Sequence, residues 1–401
     1  MASPPYDVVN REEAARLAEG NPRSFLHVGR SDIDLPPDTD PYDPRVYATA
    51  RANLDRFMNE GVLQRDAEPA FYLYEQVMQG RSQIGVVGCV HIDDYASDVI
   101  RKHEKTRRDK EDDRTRHVLV LNANAEPVFL TFRDDSRLSA LIAREARGEP
   151  LYDFVAPDGV RHRVWKSEAV DPWVEAFEAV SHAYVADGHH RCASAWRAGE
   201  ELRAASGGAG EGEYAWFLAV LFPASQVRIL PYHRVVKDLH RLSSEEFLER
   251  LQQVGRVEAV ADGAPPASGS FGFYVAGHWY RLTLDPAGIP SGDPIRSLDA
   301  ALLEERVLEP ILGVGDIRTD KRVDFVGGIR GTAELARRVD SGEMAVGIAL
   351  YPVTVEQLMA VSDAGQIMPP KTTWFEPKLR SGLFVHTLDE PTSVSGTVSR
   401  A

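Results

Sequence analysis

Cysteine is almost absent from this 401-residue chain, which contains only Cys89 and Cys192. Two cysteines cannot form the set of disulfides that holds small secreted domains together, and so low a content is typical of a reducing compartment. The same scarcity excludes a cysteine-rich zinc site. We therefore expect a cytoplasmic protein.

Long apolar segments and a targeting segment are missing as well. No apolar run approaches the ~18 residues that a membrane span requires. The first residues, MASPPYDVVNREEAARL, lack the basic start and the apolar centre of a signal peptide. The sequence therefore predicts no membrane-spanning segment and no membrane partner.

Positive charge is scarce, with 46 Lys and Arg residues against 61 Asp and Glu residues and a net charge of −15. The summed field of such a chain repels nucleic acid and anionic membranes. There are only eight lysines, and five of them lie in two short segments, at Lys102, Lys105, Lys110, Lys371 and Lys378. We expect no nucleic-acid partner, and a phosphorylated ligand would need a local cluster of donors.

Several motifs of common enzyme classes are absent. The chain has no Gly-Lys dipeptide and therefore no Walker A loop, and it has no GxSxG, no HExxH and no strand-linked GxGxxG. These absences disfavour P-loop NTPases, α/β-hydrolases, HExxH metalloproteases and Rossmann dehydrogenases.

The patterns that are present indicate a mixed α/β fold of the α+β class. Apolar residues make up 43% and charged residues 27% of the chain, as in ordinary soluble proteins. In the first half we predict helices after the capping box Asn10/Glu13 and at 45–60, 136–147 and 168–182, strands at VLVLNA and PVFLTF, and hairpins at FYLYEQVM/IGVVGCVHI and around 156–159. In the second half we predict strands at YAWFLAVLFP, VRILPYHRVV and AVGIALYPV, a GFYVAG/WYRLTL hairpin, and helices after Ser243 and near 297–311, 332–340 and 354–363.

A glycine-rich stretch, RAASGGAGEGEY at 203–214, divides the two halves and is typical of a linker. We therefore predict an N-terminal domain over 1–205 and a second mixed α/β domain over 213–390. A tail at 391–401 follows.

The segment DGHHR, Asp187 to Arg191, joins the short apolar run AYVA to the alanine-rich run CASAWRA. We interpret it as a strand-to-helix junction, where the free N–H groups and the dipole of the helix start favour an anion. Gly188 permits close approach of the backbone, and His189, His190 and Arg191 add donors for phosphate oxygens. The pattern predicts a phosphate-binding turn.

Three other interpretations of DGHHR remain open. Asp187 is suited to cap the helix of a plain turn, with the histidines as surface groups. A metal site would use His189, His190 and Cys192, although no usual zinc spacing is present. In the third interpretation Cys192 is simply a packed small residue.

DGHHR and two further segments resemble the ParB/sulfiredoxin-like nucleotide-binding superfamily, within it the free L-serine kinases. The segments are HE at 103–104, DGHHR at 187–191 and PKTT at 370–373, in the same chain order. Over nearly its whole length, from PYDVVN to PKTTWFEPKLRSGL, the chain resembles a bacterial family known as domain of unknown function number 1015. The resemblance implies that the N-terminal domain is a ParB/sulfiredoxin-like nucleotide-binding domain.

The resemblance also implies a role for each motif residue. Glu104 would be the catalytic base, and Asp187 would be the second catalytic residue. Gly188, His189, His190 and Arg191 would bind the nucleotide, and the substrate side would consist of His103, Lys371, Thr372 and Thr373. The charged run RKHEKTRRDKEDDR at 101–114 is equally typical of a solvated surface with ion pairs.

The function implied is transfer of phosphate from ATP or ADP, with Mg²⁺, to the hydroxyl of a small metabolite. Free L-serine giving O-phospho-L-serine is the favoured reaction, and the reverse direction is the alternative. A nucleotide-binding regulatory protein without catalysis is the second hypothesis. The resemblance to sulfiredoxin implies a third, in which Cys192 is a redox centre. The pattern assigns no metal ligands, no oligomeric state and no role for Tyr232, His233 and Arg234.

Overall fold

The computed structural model describes residues 1–207 and 212–389. The helices are α1 Arg11–Ala18, α2 Leu26–Gly29, α3 Pro44–Asn59, α4 Ile92–Ala96, α5 Arg108–Leu121, α6 Ser136–Glu145, α7 Asp171–Phe177, α8 His189–Ala205, α9 Ser244–Val254, α10 Asp299–Leu303, α11 Gly331–Asp340 and α12 Val355–Asp363. The strands are β1 Phe71–Met78, β2 Arg81–His91, β3 Ile100–Arg101, β4 Ala123–Asn124, β5 Val128–Phe132, β6 Tyr152–Val155, β7 Arg161–Ser167, β8 Ala183–Asp187, β9 Trp216–Pro223, β10 Ile229–Leu230, β11 Tyr232–Val236, β12 Arg256–Val260, β13 Ser270–Val275, β14 His278–Thr283, β15 Val323–Gly327, β16 Val346–Leu350, β17 Trp374–Phe375 and β18 His386–Thr387.

The fold is a mixed α/β fold, which confirms the fold class. The described chain divides into two compact units that are discontinuous in sequence. Unit 1 comprises residues 1–100, 106–226 and 377–389, and unit 2 comprises residues 101–105 and 227–376. The predicted linker is described only at its two ends, because residues 208–211 lie outside the described residues, as does the predicted tail.

The division between the units differs from the boundary predicted at 205–213. Strand β9 follows the glycine-rich stretch, yet it pairs with β2 in antiparallel fashion and with β5 in parallel fashion. Seven of its eight residues are buried. An apolar strand of this kind completes the sheet of the preceding segment, so residues up to Gln226 belong to unit 1.

An eight-stranded sheet forms the centre of unit 1, in the order β3-β8-β5-β9-β2-β1-β7-β6. The predicted hairpin β1–β2 is confirmed, with Met78 opposite Arg81 and the turn residues Gln79 and Gly80 at positive φ. Every residue of β5 is buried, which suits a continuous apolar run in the middle of a sheet. The core against this sheet includes Leu73, Val86, Leu130, Phe132, Trp173, Val185 and Phe217.

Helix α5 is the main departure from the prediction in unit 1. We expected VLVLNA to be a strand, but Val118 to Leu121 form the last turn of α5. The helix buries Asp113, Thr115, His117 and Leu121, and three of these four are polar. Its inward face therefore has no apolar repeat of 3.6 residues, which is the pattern by which a helix is normally predicted.

Unit 2 is built on a six-stranded sheet in the order β12-β14-β13-β16-β11-β15, paired in antiparallel fashion along its length. The β13–β14 hairpin and the capping box of α9, in which Ser243 and Glu246 exchange hydrogen bonds, confirm the prediction. The apolar core includes Val236, Phe247, Phe271, Leu303, Val346 and Ile348. Within residues 1–207 and 212–389, no helix combines the length and the apolar character needed to cross a membrane.

Candidate functional site

The DGHHR segment forms a strand-to-helix junction, as predicted. Strand β8 ends at Asp187, and α8 begins at His189. Gly188 between them has φ 96° and ψ 32°, and a Cβ atom at this position would lie 3.0 Å from Nε of Arg191. A left-handed conformation without space for a side chain requires glycine. The junction therefore presents the first-turn N–H groups of a 17-residue helix at the end of β8, which is flanked by β3 and β5 in the sheet.

Asp187 binds two cations within unit 1. Its Oδ1 lies 3.4 Å from Nζ of Lys378, and its Oδ2 accepts a hydrogen bond of 3.1 Å from Nη2 of Arg191. Burial by itself would raise the pKa of the carboxyl group, but Lys378 and Arg191 outweigh burial and lower this pKa to about 2. Asp187 is therefore ionised at neutral pH and holds both cations at the turn.

Arg191, predicted to bind phosphate as a fork, is buried inside unit 1. Besides Asp187 it donates to the carbonyl oxygen of Pro127, and its Nη2 lies 3.7 Å from a carboxylate oxygen of Asp7. These carboxylates raise the pKa of the guanidinium, although burial opposes them. The observed contacts are those of a residue that fixes the turn, and its role as a phosphate ligand stays a prediction.

The two histidines of the motif have different environments. His189 is buried, and burial lowers its pKa to about 4, so that it is neutral at pH 7. His190 is partly exposed, and its Nε2 accepts a hydrogen bond of 3.1 Å from the backbone N–H of Arg107. Arg107 is the residue that precedes the first turn of α5. The start of α5 therefore orients the His190 ring.

Lys378 is a site residue that the sequence analysis did not assign. It lies in the segment after Glu376, which is fixed to unit 1 by several hydrogen bonds. Nε2 of Gln76 donates to the Lys378 carbonyl at 2.9 Å, and Nε of Arg380 donates to His162 at 3.2 Å. Ser381 donates to Glu126 at 2.7 Å. The scarcity of lysine had already singled out Lys378 in the sequence, but it indicated no role for this residue.

The remaining predicted residues lie in unit 2. Nε2 of His103 lies 3.4 Å from Oγ1 of Thr373, and the His103 carbonyl accepts a hydrogen bond of 2.9 Å from the N–H of Met368. Thr372 is buried and donates to the Pro369 carbonyl at 2.6 Å. Glu104 is half-buried. The structure thus brings the HE segment and the PKTT segment together within unit 2, although His103 and Thr373 are 270 positions apart in the sequence.

The motif Tyr232-His233-Arg234 supports the PKTT segment. Nη2 of Arg234 donates to the Pro370 carbonyl at 3.2 Å, and its guanidinium stacks 4.6 Å from the centre of the Phe325 ring. Burial lowers the pKa of Arg234 to about 10, so it remains charged at neutral pH. Lys371, which follows Pro370, has φ 55° and places its Nζ 5.8 Å from the centre of the Tyr232 ring. This motif therefore positions the loop that carries Lys371.

Cys192 lies on the buried side of α8, where it packs in the core of unit 1 with Ala193 and Ala195. Its side chain is fully enclosed. This environment is that of a packed small residue, which was one of the alternatives that the sequence left open.

The chain matches a known protein family over most of its length. The family profile described as "Protein of unknown function (DUF1015)" matches residues 1–301. Among curated proteins, no match was found.

Several solved structures are similar to parts of the chain. A glutamate-to-alanine variant of free serine kinase in complex with AMP is 14% identical, covers 72% of this chain and 86% of its own, and gives a TM-score of 0.35. A conserved hypothetical protein from Pyrococcus furiosus is 14% identical, covers 72% of this chain and 90% of its own, and has a TM-score of 0.34. SbnI from Staphylococcus aureus, with a C-terminal truncation, is 12% identical, covers 74% of this chain and 85% of its own, and has a TM-score of 0.38.

Proposed function

The chain belongs to the DUF1015 family, and on that premise we propose that it is a cytoplasmic phosphotransferase. It moves a phosphate group from ATP or ADP to the hydroxyl group of a small metabolite. Free L-serine, giving O-phospho-L-serine, is the acceptor that the motif resemblance favours. The sequence order of HE, DGHHR and PKTT supports this reaction class.

The observation that carries the proposal is the DGHHR junction. Gly188, at φ 96°, joins strand β8 to the 17-residue helix α8, so the first-turn N–H groups of the helix are arranged for a phosphate group. His190 and the Lys378 ammonium group add donors at the same turn, the latter through its 3.4 Å contact with Asp187. Phosphoryl transfer depends chiefly on this kind of positioning and charge stabilisation.

Glu104 is the proposed base. Its carboxylate accepts the proton of the acceptor hydroxyl, the hydroxyl oxygen bonds to the terminal phosphorus of the donor, and the bond from that phosphorus to the bridging oxygen breaks. ADP or AMP then leaves with the electron pair. The resemblance of the HE segment to that of the free L-serine kinases supports this assignment of Glu104.

Mg²⁺ would enter with the nucleotide, on the oxygens of its phosphate groups. Asp187 does not fit a metal ligand, because each of its oxygens faces a cation, Lys378 or Arg191. We therefore assign no protein ligand to the ion and no step to it. Asp187 instead fixes the positions of the two cations at the turn.

Turnover tests the proposal directly. Purified protein incubated with ATP or ADP, Mg²⁺ and L-serine, and in parallel with other small alcohols, is expected to form the phosphorylated acceptor. Glu104→Gln should lower kcat by about 100-fold or more while nucleotide affinity is retained, because a general base contributes on this scale. His190→Ala should instead weaken nucleotide binding. Glu149→Gln, at an exposed glutamate of unit 1, is the control and should leave kcat unchanged.

One outcome would decide against the reaction, and another would decide against the assignment of its base. Nucleotide binding without turnover across the panel of alcohols would favour the regulatory hypothesis, in which the DGHHR turn senses a nucleotide. Turnover that Glu104→Gln leaves intact would remove Glu104 from the mechanism. Product formation from phosphoserine and the nucleoside mono- or diphosphate, measured in the same assay, gives the direction.

A further inference from the structure

The motif Tyr232-His233-Arg234 takes no part in the reaction steps above, yet it contains a buried charge that has no carboxylate partner. Arg234 lies on β11 and is only 1% exposed. Its Nη1 donates to the Tyr232 carbonyl at 2.8 Å, and its Nη2 donates to the Pro370 carbonyl at 3.2 Å. Within residues 1–207 and 212–389 its contacts are with carbonyl groups and aromatic rings, and it forms no ion pair with a carboxylate.

Burying the Arg234 charge in this way is costly. Burial lowers the pKa of Arg234 to about 10, against the opposing effects of Tyr232 and Glu304, so the guanidinium is charged at neutral pH. A buried cation without a carboxylate loses hydration that carbonyl groups replace only in part. An apolar side chain of similar length, such as methionine, would fill the position without that loss. We therefore expect the guanidinium to have a role other than stabilising the fold.

The carbonyl that Arg234 binds belongs to the residue before Lys371, whose backbone lies in the left-handed region at φ 55°. Residues other than glycine are strained in this conformation and keep it only where surrounding contacts fix them. The turn is held by the hydrogen bond from Arg234 to the Pro370 carbonyl and by the side chain of Thr372, which donates to the Pro369 carbonyl at 2.6 Å. Arg234 therefore helps to keep Lys371 left-handed.

The Lys371 ammonium group lies over an aromatic surface. Its Nζ is 5.8 Å from the centre of the Tyr232 ring, and that ring packs against Trp374 and Phe325 with ring centres 5.1 Å and 6.1 Å away. Lys371 is exposed and has no ion pair with a carboxylate in the described part of the chain. An aromatic face attracts an ammonium group without neutralising it, so the charge stays available to an anion.

We propose that Arg234 is a positioning residue for the acceptor: through the Pro370 carbonyl it holds Lys371 in the left-handed conformation, in which the ammonium group contacts a carboxylate of the acceptor. The inference rests on the proposed function, and it narrows the acceptor to an alcohol that carries a carboxylate, such as a hydroxy amino acid. Arg234 does not contact the acceptor itself, because it is enclosed in unit 2.

Steady-state kinetics of the full chain test this role. Arg234→Met should raise KM for L-serine about tenfold or more, whereas kcat and the dissociation constant of ADP should stay within about twofold of the wild type. Ethanolamine, which is L-serine without its carboxylate, should be a poor acceptor for the wild type and no poorer for the variant. Arg281→Met is the control and should leave KM unchanged. Arg281 is half-buried on β14, which β13 and β16 separate from β11 in the sheet.

Lys371→Gly tests whether Arg234 acts through Lys371. Glycine adopts φ 55° without strain but has no ammonium group, so KM for L-serine should rise about as much as in Arg234→Met. In the Lys371→Gly background, Arg234→Met should raise KM by less than about twofold, because the group that it positions is already gone. An equal rise of KM in both backgrounds, or an unchanged KM in Arg234→Met, would overturn the proposal.

NMR gives a readout that does not depend on turnover. The lysine amines of the full chain are dimethylated with ¹³C, and the Lys371 signal is identified by its absence in Lys371→Arg. The Tyr232 ring should separate this signal from those of other exposed lysines, and Arg234→Met should move it towards them. If Arg234→Met does not fold, Arg234→Lys, which lacks the fork that spans two carbonyls, should have the same effect.

A Lys371 signal that stays in place in these variants would overturn the proposal. Absence of turnover in the wild type would refute the phosphotransfer alone, provided that L-serine shifts the Lys371 signal and ethanolamine does not. A wild-type signal that neither compound shifts would overturn the contact between Lys371 and the acceptor carboxylate.

Discussion

Asp187 shows how neighbouring charges override burial at a single residue. Its environment would favour the protonated form, yet Lys378 and Arg191 lower its pKa to about 2. A carboxyl group whose pKa is lower in the folded than in the unfolded state stabilises the fold above its unfolded pKa. That contribution is lost as the pH falls from about 4 towards 2. At neutral pH the full contribution is present.

We predict that Asp187→Asn lowers the free energy of unfolding at pH 7 by about 2 kcal/mol, as a pKa lowered by nearly two units implies. The difference from wild type should be the same at pH 7 and pH 5, because the carboxyl group is ionised at both values in either state. Urea unfolding of the variant and the wild type at the two pH values measures this difference in the free energy of unfolding. As a control, Asp66→Asn breaks the 2.8 Å ion pair between Lys166 and the exposed carboxylate of Asp66. This change should lower the free energy of unfolding by less than about 1 kcal/mol. Equal costs would contradict the assignment.

The strand-to-helix turn at DGHHR could be predicted from the sequence, but the interaction partners of its side chains could not. The Asp-Gly pair and the change from an apolar to an alanine-rich run identify a strand-to-helix turn. Nothing local indicates that Asp187 binds Lys378, which is 191 positions away. Similarly, the fork geometry of arginine suggested an outward phosphate ligand, whereas Arg191 donates to Asp187 and to the Pro127 carbonyl. Long-range tertiary contacts of this kind depend on the packing of α8 against the rest of unit 1.

At the scale of elements, the helix caps and hairpin turns that depend only on neighbouring residues were predicted from the sequence. The capping boxes of α1 and α9 and the hairpin turns of β1–β2 and β13–β14 are complete in short stretches of sequence. Helix α5 was missed along its whole length, because its buried face is polar: its first part was interpreted as a charged run and its end as a strand. Asp113 accepts a hydrogen bond of 2.7 Å from Tyr47, and His117 donates to Val28. Tertiary hydrogen bonds, rather than an apolar stripe, hold this helix in place.

The start of α8 provides a prediction at this scale. Gly188→Ala should destabilise the protein by more than the ~1–2 kcal/mol of a left-handed alanine, because its Cβ would also displace the Arg191 guanidinium. Gly159→Ala is matched, since Gly159 has φ 81° and open space around its Cβ position. Chemical denaturation of both variants gives the two costs. If Gly188→Ala lowers the free energy of unfolding no more than Gly159→Ala does, the Arg191 guanidinium moves aside without a measurable loss of stability.

Across the whole molecule, buried histidines link stability to pH. Burial lowers the pKa to about 3 for His117 and to about 4 for His162, His189 and His233, and it also lowers the pKa of His386. These residues are neutral in the fold but take up protons in the unfolded chain, where their pKa is near 6.5. Their contribution is therefore complete above pH 6.5 and is lost as the pH falls towards 4. Both units contain at least one of them.

We predict that the free energy of unfolding falls steeply between pH 6.5 and 4, with each such histidine contributing up to about 3 kcal/mol. A pH series of urea unfolding curves measures this slope. Because the slope reports the number of protons taken up on unfolding, His162→Gln should lower that number by about one. The His278→Gln variant, at an exposed position, should leave the slope unchanged. A flat pH dependence in wild type would show that these histidines are not held neutral by the fold.

The segment after Glu376 ties the end of the described chain to its beginning, since the N–H of Ser3 donates to the Ser381 carbonyl at 3.0 Å and the reverse bond has the same length. Arg380 and Ser381 fill positions in unit 1 beside His162 and Glu126. During synthesis on the ribosome, unit 1 therefore cannot complete these contacts until residues that follow all of unit 2 have been made. A nascent chain stalled at residue 376 would leave His162 and Glu126 without these hydrogen bonds, and would be a natural target for chaperones.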